Sequence, residues 1–137
     1  MELLGAVDKM KARRVLCEIL IKLGPAQVDF LVSKLEDDRW YLVRNLIYVV
    51  GKIGDSKMLK AFPRLLQHKD SKIRKEALHA LDMIESPKTN ELLVKVLSDP
   101  DLSTRLFAVR TLAKRKSQEA LEPLMILLPS KEFEEKE

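Results

Sequence analysis

The sequence has little of what catalytic, secreted or membrane proteins usually carry. It holds one cysteine, Cys17, so no internal disulfide can form, and two histidines, His68 and His79. Aromatic residues make up 5% of its 137 residues, and β-branched runs are few, which argues against a sheet protein. No apolar stretch approaches the ~20 residues that cross a bilayer. The opening Met1-Glu2-Leu3-Leu4-Gly5 lacks the basic-then-apolar layout of a secretion signal, so a cytoplasmic address is expected, with no membrane partner. No glycine-rich phosphate loop is present. What the chain does have is 46% apolar and 34% charged residues, the balance of a globular chain. Its net charge of +4 divides into +6 over residues 1–128 and −2 over 129–137. A surplus of that size permits an acidic partner without demanding nucleic acid.

The strongest feature is a repeat. In the stretch from Asp70 to Ile84, Ile73, Ala77, Ala80, Leu81 and Ile84 fall on one stripe of a helix. Asp70 stands ahead of it as an N-cap. The same five places recur 31 residues earlier as Leu42, Leu46, Val49, Val50 and Ile53. A further step of 30 reaches Ala12, Leu16, Ile19, Leu20 and Leu23. Forward by 31, Asp101 precedes Thr104, Ala108, Thr111 and Leu112. A period in this range, each unit one helical hairpin, is the signature of a solenoid. Cys17 shares a column with Ile47, Leu78 and Val109 and reads as a small buried hydrophobe.

The expected fold is all-α, a right-handed α-solenoid of four two-helix repeats in a single domain over 1–128, followed by a charged, frayed tail over 129–137. The repeats run over about 8–35, 36–66, 67–97 and 98–128. Their first helices are expected at Lys9–Leu23, Arg39–Ile53, Ser71–Ile84 and Leu102–Arg115, closed by Gly24-Pro25 and Gly54-Asp55 in the first two. Their second helices are expected at Ala26–Leu35, Lys57–Gln67, Thr89–Leu97 and Glu119–Leu128. Met1–Val7 reads as an extra turn or the tail of an incomplete helix. In the fourth repeat Thr104 stands for Ile73 and Arg115 for Ile84, which suits a terminal cap whose outer face meets water.

The repeats resemble HEAT-like repeats of the short, phycobilisome-lyase type. Their pattern is an apolar residue and Arg, then Ala, then Ala-Leu, with an acid four or six residues before the Arg. Ile73-Arg74, Ala77 and Ala80-Leu81 with Asp70 fit it, as do Arg105, Ala108 and Thr111-Leu112 with Asp99 and Asp101. The pairs Asp70–Arg74 and Asp101–Arg105, with Asp99 nearby, read as a structural ladder of carboxylates and arginine forks. The second repeat has Val43 where the Arg belongs and is expected to lack that link. Some proteins with similar repeats are di-iron enzymes built on adjacent His-Glu pairs. Here neither histidine is followed by Glu, and Cys17 and the histidines are too scattered to converge on a substrate. No metal, cofactor or enzymatic activity is expected.

The resemblance implies a scaffold that binds another protein. Second helices of such solenoids line the concave face, and Lys57, Lys60, Arg64, Lys88 and Lys95 form a basic block there, suited to an acidic protein segment. The alternative is a phosphate backbone, as some proteins with similar repeats grip DNA, although Glu91, Glu119 and Glu122 interrupt the same face. A second candidate patch lies on the first helix of repeat two. There Tyr41, Arg44, Tyr48 and Lys52 share one face with Trp40 beside them, residue types that dominate binding hot spots. At the end of the chain, Met125, Ile126 and Leu127 make the last helix apolar on more than one side. Either Phe133 folds back over it, or it meets a second copy as a homodimer contact or another protein.

Overall fold

A computed structural model describes residues 10–129. Its elements are α1 (Met10–Leu23), a 3-10 turn (Gly24–Ala26), α2 (Val28–Lys34), α3 (Trp40–Ile53), a 3-10 segment (Ser56–Ala61), α4 (Phe62–Leu65), α5 (Ser71–Met83), α6 (Pro87–Val96), α7 (Leu102–Lys114), a 3-10 turn (Gln118–Ala120) and α8 (Leu121–Leu127). There is no strand among the described residues. The expected N-terminal turn and the charged tail with Phe133 lie outside them. Contacts gather the chain into two compact units, Met1–Ser86 and Pro87–Glu137, so the division falls inside the third repeat.

In the first unit, α3 packs between α1 and α5, and α2 lies beside the segment Ser56–Ala61. The stripe explains the arrangement. Leu42, Leu46, Val49 and Val50 of α3 and Ile73, Ala77, Ala80 and Leu81 of α5 are all buried. Met58, Phe62 and Leu31 complete the core from the second-helix side. Each fully buried aliphatic or aromatic side chain stabilises by about 1.5–3 kcal/mol. Cys17 is buried as expected, and burial pushes its thiol pKa up.

Two glycines hold this unit close. A Cβ at Gly51 would lie 2.8 Å from Ala80 Cα, so α3 and α5 approach at a point that only glycine permits. Gly24 is expected as a helix terminator, and α1 does end just before it. Its backbone is not left-handed, however; that conformation belongs to Gly54, with φ of 71°. A Cβ at Gly24 would instead run into Ile53 Cδ1. Gly24 is there to let the side chain of the next repeat in.

The second helices are more broken than their sequence suggests. Where one helix is expected over Lys57–Gln67, the chain forms a 3-10 segment and then the short α4, with Pro63 in its first turn. In an unbroken helix the ring of Pro63 would strike the carbonyl four residues earlier and leave it without a donor. The fourth repeat breaks the same way ahead of Pro123, whereas Pro87 sits at the very start of α6, which runs uninterrupted.

The second unit packs α6 against α7, with the turn Gln118–Ala120 beside α6. Leu93, Ala108, Leu112 and Ala120 form its core. Thr104 does not meet water as a cap residue would; it is 1% exposed. Its hydroxyl lies 2.7 Å from Asp101 Oδ2, and the same oxygen accepts the Thr104 N–H, so burial leaves neither polar group unsatisfied. Arg115 donates from Nε to Asn90 Oδ1 at 2.8 Å.

The first repeat departs from expectation in the opposite direction. Ile19 is 46% exposed and Leu23 63% exposed, although their counterparts in the third repeat, Ala80 and Ile84, are buried.

Candidate functional site

The turns between repeats are built on one device repeated at 31-residue intervals. Asp37 Oδ1 accepts the Arg39 N–H at 2.9 Å, His68 Nδ1 accepts that of Asp70 at 3.0 Å, and Asp99 Oδ1 accepts that of Asp101 at 2.8 Å. His68 is thus an acceptor in a turn where its counterparts are carboxylates. One residue set further on, Asp70 and Asp101 cap α5 and α7 through Lys72 and Thr104 N–H groups. Arg74 and Arg105 reach back to the same turns, each donating Nη1 to the carbonyl six residues earlier, His68 at 2.7 Å and Asp99 at 2.6 Å.

In the second repeat, Val43 is buried as a plain hydrophobe. The usual link from that position is missing there, and Arg39 supplies a different one to Asp37. Its Nε and Nη2 each bond Asp37, at 2.9 Å, in a fork. That fork, with the backbone bond, pulls the Asp37 carboxyl pKa down to about 2. A carboxyl depressed in the folded state contributes stability in full above its ordinary range, and this is lost as pH falls through that range towards 2. Replacing Arg39 by Ala should return Asp37 towards 3.8, its ordinary value. Carbon-detected NMR titration of the carboxyl checks this, and an unmoved midpoint would contradict the role given to Arg39.

Above these turns the first unit carries a groove of about 980 Å³. Val32 and Leu35 of repeat one and Val43 and Leu65 of repeat two contribute its apolar lining, and Trp40, half exposed, stands at its side. Glu36, Asp37 and Asp38 line it together with Lys60, Arg64, His68 and Lys69. Two ion pairs lie here, one between repeats one and two and one within repeat two. Lys60 Nζ is 2.9 Å from Asp29 Oδ1, and Arg64 Nη1 meets Glu36 Oε1. The Lys60 bond and charge lower the pKa of Asp29. All four side chains are more than half exposed, so such pairs contribute little to stability.

The sequence-derived sites are distributed as follows. Lys57, Lys60 and Arg64 lie on the 3-10 segment and α4 of the first unit, all exposed, while Lys88 and Lys95 lie exposed on α6 of the second. Tyr41, Arg44, Tyr48 and Lys52 are exposed on α3, with Lys52 Nζ 5.7 Å from the Tyr48 ring centre. Trp40 meets Tyr41 edge to face at 5.8 Å between ring centres, yet it also lines the groove, where it joins Lys60 and Arg64. The acidic residues 36–38 and the pair His68-Lys69 are missing from the sequence-derived sites. Their signal was the register of the turns, in which 37, 68 and 99 align. Among the described residues no cluster of His, Cys, Asp or Glu could hold a metal ion. No helix among them is long and apolar enough to cross a membrane.

The family model for HEAT repeats matches the chain three times in overlapping registers, over residues 2–81, 28–95 and 60–135. The chain belongs to the HEAT repeat family. Its fold is accordingly an all-α HEAT-repeat solenoid, and HEAT repeats generally serve as protein-interaction scaffolds. No curated protein matches the chain. For a HEAT-repeat protein, the turns with their Asp or His acceptor and the arginine bonded back to them are the structural parts.

Proposed function

We propose that this HEAT-repeat protein is a non-enzymatic scaffold that binds an acidic protein segment in the groove of its first unit. The observation that carries the reading is the combination of an apolar floor, a half-exposed Trp40 and the side chains of Lys60 and Arg64 at one groove. Trp and Arg beside a concave apolar surface are the residue types that concentrate binding energy. The Asp29 and Glu36 partners do not oppose it. Exposed pairs of this kind are worth so little that a carboxylate arriving on a ligand can take over either cation at small cost. Glu36, Asp37 and Asp38 on the same groove disfavour a continuous phosphate backbone, which would meet three acids, whereas a short segment can place its carboxylates opposite Lys60 and Arg64 alone.

Selection from a random peptide library displayed on phage tests this. Peptides enriched on the wild-type chain should carry Asp or Glu near an apolar residue. At least tenfold of that enrichment should be lost on Lys60→Glu/Arg64→Glu, whose helical circular-dichroism signal should be unchanged. Enrichment of neutral or basic peptides that the double variant retains equally would overturn the reading.

A further inference from the structure

Charge is segregated in the first unit. Its first helices α1, α3 and α5 together carry nine Lys and Arg side chains and three acids. Exposed among these are Lys11, Arg14, Lys22, Arg44, Lys52 and Lys72, against Glu18 alone, which Arg14 holds. The other two acids, Glu76 and Asp82 of α5, are half-buried, and Asp38, Asp55 and Glu85 lie beyond the helix ends. The cations also differ in state from those of the groove. Lys60 and Arg64 each have a carboxylate, whereas Lys11, Lys22, Arg44 and Lys72 have no ion pair among the described residues.

The aromatic residues are placed just as unevenly. The one Trp and two Tyr of the chain, Trp40, Tyr41 and Tyr48, all belong to α3 and are 50%, 38% and 45% exposed. The core does not use them; Phe62 is its large ring. Since α3 packs between α1 and α5, the rings stand between two basic flanks. Counting by the repeat, Lys11, Tyr41 and Lys72 hold one place on the three helices, and Arg14, Arg44 and Lys75 the next. Packed helices lie about 8–10 Å apart, so cations and rings alternate at close spacing across the layer. Lys52 Nζ is itself 5.7 Å from the Tyr48 ring centre.

We propose that this outer face of α1, α3 and α5 binds single-stranded nucleic acid, with phosphates on the Lys and Arg side chains and bases stacked on Tyr41 and Tyr48. A basic track with exposed aromatic rings is how strands are held without regard to sequence. One ligand answers both features, since each nucleotide brings an anion and a flat ring. A duplex keeps its bases stacked on one another and offers only its phosphates. The face is separate from the groove, and its reading stands whether or not the groove takes an acidic segment.

Fluorescence anisotropy of a labelled twenty-nucleotide oligothymidylate, titrated with the full chain, tests this. Wild type should bind it, with log affinity falling by roughly 3 per unit of log salt, as about four phosphate contacts on a single strand require. Arg44→Glu/Lys72→Glu should lose at least tenfold in affinity and flatten that slope. Tyr48→Ala should lose at least fivefold and keep the slope, because it removes a stacking ring and no charge. Lys60→Ala/Arg64→Ala in the groove should change the affinity less than about threefold. All five side chains are exposed, so circular dichroism should show the wild-type helical signal in every variant. Absence of binding at low salt overturns the proposal, and so does full affinity in Tyr48→Ala. Polyglutamate that displaces the labelled strand as well as unlabelled oligothymidylate does would mark a site for charge alone. A duplex of the same length bound more tightly than the strand would show that stacking is not used. Either result overturns the proposal.

Discussion

Leu81→Ala should lower the stability of the chain by about 2–5 kcal/mol, the range for removing a large aliphatic side chain from a packed interior. Leu81 is fully buried in α5, which packs on α3. The substitution deletes the buried methyl groups and leaves a cavity that the neighbouring helices refill only in part. Small domains are stable by roughly 5–15 kcal/mol, so the denaturation midpoint should shift by a large fraction of its value. Leu23→Ala is the informative control. Leu23 belongs to the same stripe two repeats earlier but is 63% exposed, and its loss should stay near 0.5 kcal/mol, as for other surface changes. The comparison is made by urea denaturation at a protein concentration low enough to exclude association. Equal losses at the two sites would mean that α1 is covered in solution and that the difference in burial between the repeats is wrong.

Gly51→Val should be nearly as damaging, for the reverse reason. Valine would place a Cβ 2.8 Å from Ala80 Cα and 2.6 Å from Met83 Cε. The end of Met83 can swing aside, but Ala80 Cα moves only if α5 moves. Overpacking of this kind costs about 1–3 kcal/mol and sometimes more. Helix propensity works the other way, since valine in a helix interior is better than glycine by a few tenths of a kcal/mol. The packing cost is several times larger, so a net loss of about 2 kcal/mol is expected. Chemical denaturation measures it. A variant as stable as wild type would show that α3 and α5 do not meet at Gly51 as closely as described.

Much of this protein was legible in its residues because a helical repeat writes its period into the chain. The columns of Leu42, Ile73 and Leu46, Ala77 declare which face of each first helix is inside, and Asp70 and Asp101 mark where helices begin. Those signals are local or periodic, and helix formation and N-capping act over only a few residues. The resemblance of the repeats pointed to the HEAT family for the same reason. What periodicity cannot report is whether a face has something to lie against. Ile19 and Ala80 occupy one column, yet among the described residues only Ala80 has a neighbouring helix on that side. Nor does the chain by itself distinguish a glycine that terminates a helix from one that admits a side chain. Gly24 and Gly54 hold the same place in the pattern, and the left-handed backbone of Gly54 and the approach of Ile53 to Gly24 separate them. The groove was hidden for a related reason. Trp40, Lys60 and His68 come together through the stacking of one repeat on the next, a distance in space that spacing along the sequence does not encode. The partners of Lys60 and Arg64 were likewise settled by tertiary structure, since Asp29 and Glu36 stand 31 and 28 residues away along the chain and meet them only in the folded unit.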